Sequence, residues 1–183
     1  VSCPISWLHL LTGYIILFPG GFAPDGSGTG NNTAALSYEV STGTQTSNTP
    51  KVSRLKLLFD ATTDEHWMFQ FKIPGDYASG GTLRGQAGVN AVSPGNVIMK
   101  AGISESNGNR TDDLFLAADV SSAIAMPATA NQGTEFTIAL TMTSIAANDE
   151  VVIFIGRDAD NASDTVNSND VELTSLNFEY TTS

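Results

Sequence analysis

The chain has 183 residues, 41% of them hydrophobic and only 15% charged, with a formal net charge of −11 from 19 acidic and 8 basic residues. That length accommodates one all-β domain with a proper core, and the apolar share excludes global disorder. An acidic surface with no Lys/Arg cluster repels a phosphate backbone, which argues against nucleic-acid binding and against docking to anionic lipid through a basic patch.

In chain order, the first feature is Cys3, the only cysteine, so neither an intrachain disulfide nor a cysteine-based zinc site is possible. Ile5 to Phe18 (ISWLHLLTGYIILF) is the most apolar stretch. At about 14 residues, interrupted by Ser6, His9, Thr12 and Gly13, it falls short of the roughly 20 that a transmembrane helix needs. It lacks the basic leading region of a signal peptide. The favoured reading, against membrane-linked alternatives, is a strand or arm mostly buried against its own body or a neighbouring subunit. Tyr14 to Phe18 is β-branched and aromatic, which suits a strand. An exposed run of this kind invites aggregation, so a second copy can serve as its cover. Ile5, Trp7, Leu8, Tyr14, Ile15, Ile16, Leu17 and Phe18 are therefore the candidate assembly residues of a homo-oligomer. Gly20 to Thr33 (GGFAPDGSGTGNNT) reads as a flexible linker, which divides the chain into an arm and linker, 1–33, and a sandwich domain, 34–183.

From Ala34 onward, short strands alternate with turn clusters. The expected strands are Leu36–Val40, Val52–Phe59, His66–Ile73, Leu83–Val92, Val97–Ser104, Phe136–Ser144, Val151–Arg157 and Val171–Tyr180. Phe136, Ile138, Leu140 and Met142 fall on one face of their strand, as do Trp67, Phe69, Phe71 and Ile73, and Leu176, Phe178 and Tyr180. That period of two predicts a two-sheet antiparallel β-sandwich of jelly-roll-like form, with one wet face per sheet. Trp67, Phe69, Phe71, Phe136, Ile138, Leu140, Ile153, Phe178 and Tyr180 should share one core. Asp112 to Val120 (DDLFLAADV) has helical spacing and is expected as one short helix in a crossing.

Candidate chemistry is sparse. With only His9 and His66 there is little to activate a nucleophile, and no G-x-S-x-G elbow, P-loop or dinucleotide motif occurs. His66, after Asp64 and Glu65, reads as a surface histidine at a strand edge. Among 19 acidic residues some pair meets any glycosidase spacing, so that signal has no specificity. Asp158, Asp160 and Asp164 are a weak Ca²⁺ candidate, because a hard cation wants six to eight oxygens. Their spacing fits no EF-hand loop, and a solvated loop whose Asp and Asn supply turn geometry is the favoured reading; a further alternative is Arg157 tying the loop down by pairing with Asp158 or Asp164. The expectation is no metal, no cofactor and no enzymatic activity. Of the tyrosines, Tyr77 is the one expected in an exposed loop, where it would suit a sugar.

Two segments carry a resemblance. One is His66–Leu83 (HWMFQFKIPGDYASGGTL), and the other is Glu150–Thr165 (EVVIFIGRDADNASDT) running on to the closing LTSLNFEYTT. Together they resemble small β-sandwich proteins encoded among structural genes of tailed phages and environmental viruses. The resemblance spans roughly Leu55 to Thr182 and carries over no catalytic residue. It implies a virion-surface or capsid decoration (cement) protein that acts by assembly with other capsid subunits. The alternative is a carbohydrate- or receptor-binding module of a fibre or adhesin, at an extracellular or cell surface, with a glycan as partner.

Overall fold

The structure, a computed structural model, describes residues 11–24, 32–41, 49–104 and 114–183. Its strands are β1 (Thr12–Ile16), β2 (Ala35–Val40), β3 (Ser53–Phe59), β4 (His66–Lys72), β5 (Tyr77–Val89), β6 (Asn96–Val97), β7 (Met99–Ile103), β8 (Asp119–Val120), β9 (Ile124–Ala125), β10 (Gly133–Ala139), β11 (Glu150–Arg157) and β12 (Val171–Thr182). The larger sheet runs β10-β5-β12-β3-β2, with β1 also on β12; the smaller runs β4-β11-β7-β8, and β6 pairs β9. These pairings are antiparallel. The strands β3, β4, β5, β7, β10, β11 and β12 alternate between the two sheets along the chain. The result is an all-β, two-sheet sandwich.

The alternation in the sequence is what stacks the sheets. Phe136, Ile138 and Leu140 enter from β10 and its end, and Leu176, Phe178 and Tyr180 from β12. They meet Trp67 and Phe69 of β4 and Ile153 and Ile155 of β11 in one buried cluster. Phe71 packs on this cluster partly buried, its ring centroid 5.4 Å from that of Phe178.

The chain enters through β1, which lies along the C-terminal half of β12 and pairs Ile15 with Phe178. Leu17 N donates to Leu176 O at 2.9 Å, and a cis Phe18–Pro19 bond follows. The chain then crosses to the other sheet, where Phe22 bridges Met68 and Thr33 bridges His66 along β4. Gly21 has a φ of +99°, and a Cβ there would stand 2.4 Å from Met68 O, so the crossing requires glycine.

Strand geometry splits the apolar arm that was expected to be mostly buried. Leu17 and Phe18 are each 7% exposed, whereas Tyr14 and Ile16 are 66% and 67% exposed. Ile15, between those two, packs on the core. A strand lying on a sheet shows its side chains alternately to core and to water. Ile5, Trp7 and Leu8 lie outside the described residues.

The helix expected over Asp112–Val120 does not form across the described part, Leu114 to Val120. Phe115 bridges Ser104, Leu116 N donates to Ile103 O at 2.8 Å, and Asp119–Val120 pairs with β7. The Asp119 carboxylate accepts from Thr141 N at 2.6 Å and from Thr141 Oγ1 at 3.1 Å, which pins the strand in place. So short a helix is marginal alone, and an open sheet edge offers its backbone better partners. No described helix is long and apolar enough to cross a membrane.

Candidate functional site

The outer face of the larger sheet brings an exposed aromatic ring together with charged, amide and hydroxyl side chains. Phe178 is core, so its neighbours Asn177 and Glu179 point outward. Tyr14 pairs with Glu179 and Ile16 with Asn177, which turns both toward the same outer face. On the other side of β12, Glu179 pairs with Thr82 and Asn177 with Arg84, and Arg84 in turn pairs with Thr137 of β10. Two register rows result, Tyr14–Glu179–Thr82 and Ile16–Asn177–Arg84–Thr137, with neighbouring strands about 4.8 Å apart.

Arg84 holds Glu179 through two bonds, Nε to Oε1 at 2.7 Å and Nη2 to Oε2 at 3.3 Å. That hydrogen bond and the adjacent negative charge raise the pKa of the Arg84 guanidinium further. The Arg84 side chain is 43% exposed, so the pair adds little stability; its contribution is a fixed fork of donors and acceptors.

Farther along the same face, Glu39, Arg54, Gln86, Gln132, Glu172 and Thr174 line a groove of about 310 Å³. A β-bulge between Leu173 and Ser175 breaks the strand alternation there. Thr174 Oγ1 donates to Gln86 Oε1 at 3.3 Å. Below them Lys56 and Glu172 form an ion pair with side chains only 10% and 4% exposed, a charged floor on the outer side of the sheet. Five residues of β12 separate Glu179 from Thr174, which places the groove about 16 Å from the Tyr14 row.

The sequence placed the sugar-facing aromatic elsewhere. Tyr77, expected in an exposed loop, begins β5 and packs on the core, its ring 6.1 Å from Tyr180. Burial pushes the Tyr77 phenol above its ordinary pKa. The exposed tyrosines are Tyr14 and Tyr38, at 66% and 67%. The alternation in Thr12–Ile16 is the signal that could have exposed Tyr14, hidden by the apolar run around it.

The acidic loop divides. Asp164 binds Arg157, Nη2 to Oδ1 at 2.8 Å and Nε to Oδ2 at 3.0 Å, and also accepts from Ile98 N at 3.1 Å. Arg157, fully buried, donates further to Asp60 O at 3.1 Å, to Asn169 O at 3.2 Å and to Val166 O. Asp158 and Asp160 gather instead with Asp64, oxygens within 4.8 Å of one another. The Lys100 ammonium already sits in that cluster, bound to Asp64 and 3.4 Å from Asp158. Burial works to raise the Asp64 pKa, but the hydrogen bonds from Lys100 and Ala159 N outweigh it, and the carboxyl sits below the usual range. Lys100 already occupies two of the three carboxylates as a hydrogen-bonding partner, so a metal would have to displace its ammonium.

His66 is buried, 8% exposed, and not the surface histidine expected. Its ring meets Phe154 edge-on at 5.3 Å, and its Nδ1 has no hydrogen-bond partner. Burial, reinforced by the Lys100 charge, lowers its pKa.

No protein-family model and no curated protein matches the chain. Among solved structures it is similar to the CBM22-1–GH10 modules of a Clostridium thermocellum xylanase 10B complexed with xylohexaose, with 12% identity and a TM-score of 0.48. That match covers 80% of this chain and 24% of the other, so the chain spans about a quarter of its length. It is also similar to the xylan-binding module CBM15, with 9% identity, a TM-score of 0.45, and 93% and 97% of the two chains covered. A third is the enzymatically active domain of bacteriophage CBA120 tailspike protein 4, with 9% identity, a TM-score of 0.38, and 91% and 19% covered. At these identities and TM-scores the likenesses say nothing of what this chain binds.

Proposed function

We propose that this protein is a carbohydrate-binding module that holds its ligand on the outer face of the larger sheet and performs no turnover. The observation that carries the reading is the Tyr14 ring, 66% exposed on a sheet face and in one register row with Glu179, which Arg84 clamps. One side of a pyranose ring presents C–H groups that pack on an aromatic face, while its rim presents hydroxyls that both donate and accept. Asn177, Thr82, Thr137 and the Arg84–Glu179 fork lie beside Tyr14 to meet those hydroxyls, and the amide-rich groove extends the same face. Such a module works outside the cell, at a cell surface or on a particle.

The test is affinity electrophoresis and titration calorimetry of the full chain against a panel of soluble polysaccharides that includes xylan and mixed-linked β-glucan. Tyr14→Ala is expected to weaken binding about tenfold, the loss of one stacked ring, with its melting temperature held because the side chain is exposed. Retardation by none of the panel, or a Tyr14→Ala variant that binds like the wild type, would sink the reading.

A second reading, capsid decoration through protein–protein assembly, has its own observation. Exposed Ile16 and Phe22 flank a groove of about 280 Å³ that Ile15, Leu17, Phe69 and Phe71 also line. Here the exposed Tyr14 and Ile16 act as assembly residues, with Ile5, Trp7 and Leu8 before them, while Ile15, Leu17 and Phe18 of the expected set pack on the chain's own core. Recovery of the protein in purified particles at a fixed ratio to the shell protein, abolished by Ile16→Asp, would favour it over glycan binding.

A further inference from the structure

We propose that β2 is a self-association edge, where a second copy of this chain pairs antiparallel with Ala35–Val40 about a two-fold axis. β2 ends the larger sheet: one of its edges pairs with β3, and the other has no strand partner among the described residues. An open edge is a row of unpaired N–H and C=O groups, which folded proteins usually blunt with Lys, Pro or a bulge. The β2 sequence ALSYEV contains neither Lys nor Pro. The β2–β3 register shows no shift, so no bulge bends the edge away.

The side chains agree with the backbone. Leu36 pairs with Leu57 and Tyr38 with Leu55, which puts Leu36, Tyr38 and Val40 on the side that faces the core farther along the sheet. Among the described residues no strand of the smaller sheet buries them. Leu36 is 52% exposed, Tyr38 67%, Val40 40% and Leu55 44%. The one charge on the strand, Glu39, stands opposite Arg54 on the other face.

The sequence also selects a register and, through it, the partner. Apolar residues oppose apolar ones only when the two-fold axis passes through a residue and not between two. An axis at Tyr38 sets Leu36 against Val40 of the partner subunit, Tyr38 against Tyr38 of the partner subunit, and Ser37 against Glu39 of the partner subunit. An axis at Glu39 would set two carboxylates face to face, which cross-strand pairing disfavours, and an axis at Ser37 would leave Val40 outside the paired residues. The strand is thus complementary to itself, as a two-fold contact requires. Six residues make a small interface, so the dimer should be weak, with dissociation in the micromolar range. Each copy carries a net charge of −11, so salt should strengthen association by screening the repulsion.

The experiment is sedimentation equilibrium of the full chain at low and high salt, alongside Tyr38→Lys. The wild type should show a concentration-dependent dimer that salt favours, and Tyr38→Lys should weaken it by about tenfold or more while its melting temperature holds. In a Cys3→Ser background, Tyr38→Cys should cross-link into a dimer under mild oxidation, since paired strands bring such Cα atoms to about 4.5–5.5 Å. A wild type that stays monomeric throughout the micromolar range, or a Tyr38→Lys variant that associates as well as the wild type, overturns the proposal. Dimers that persist in Tyr38→Lys but vanish in Ile16→Asp would move the contact to β1.

Discussion

Arg157→Met is the sharpest probe of what fastens the 158–170 loop to the sandwich. Arg157 is fully buried, and the side chain of its partner Asp164 is only 2% exposed. Removing the guanidinium strands the Asp164 carboxylate with Ile98 N as its remaining donor, and takes a donor from each of the carbonyls of Asp60, Val166 and Asn169. Losing one partner of a buried, hydrogen-bonded ion pair costs about 3–5 kcal/mol. For a domain of this size each kcal/mol shifts the midpoint by about 2–4 °C, so the melting temperature should fall by about 6–20 °C. Urea titration of the single variant, of Asp164→Leu and of the double variant Arg157→Met/Asp164→Leu closes the cycle. The double variant should lose less than the sum of the singles, by about 1–3 kcal/mol, because it no longer buries a lone charge. A single-variant loss under about 1 kcal/mol, or plain additivity, would refute the idea that this pair fastens the loop.

Four further outcomes follow from the structure. Phe136→Ala should cost about 3–5 kcal/mol in a urea titration, as truncation of a core aromatic does, and a loss below about 1 kcal/mol would place Phe136 outside the core. Gly85→Ala should also destabilise, because a Cβ there would stand 2.6 Å from the Phe136 ring. Burial beside Lys100 holds the folded His66 pKa below that of the unfolded chain, about 6.5. The unfolded chain therefore takes up the proton first, and stability that is full above about pH 6.5 declines as pH falls toward the folded pKa. Melting temperatures from neutral pH downward should show that slope in the wild type and lack it in His66→Phe, and identical slopes would remove His66 as the cause. Chelator should leave the wild-type melting temperature unchanged, since the Lys100 ammonium already sits between Asp64 and Asp158, where an ion would have to bind. A drop restored by Ca²⁺ but not by Mg²⁺ would show an ion bound there despite the ammonium.

Local pattern determined a good deal of this protein. The period of two in Trp67–Ile73, Phe136–Leu140 and Leu176–Tyr180 required half-buried strands, and those faces meet in one core. The same signal failed where apolar residues ran without a break. In Tyr14–Phe18 every position reads as buried, yet a strand has two sides, and only pairing with β12 decides that Ile15 faces Phe178 and Tyr14 faces water. Asp112–Val120 has helical spacing, but along its described part the open edge of β7, a competitor distant in sequence, takes the backbone at Phe115, Leu116 and Asp119–Val120. The candidate site was hidden for a like reason. Tyr14, Glu179, Arg84 and Thr137 lie on four strands, and their rows exist only through cross-strand register. The acidic loop shows the same division: its carboxylates were legible as a group, but Arg157 and Lys100, brought in by β11 and β7, decide which of them are already paired. A sequence displays side-chain types and their local period, whereas register, edges and long-range charge partners arise only when distant strands meet.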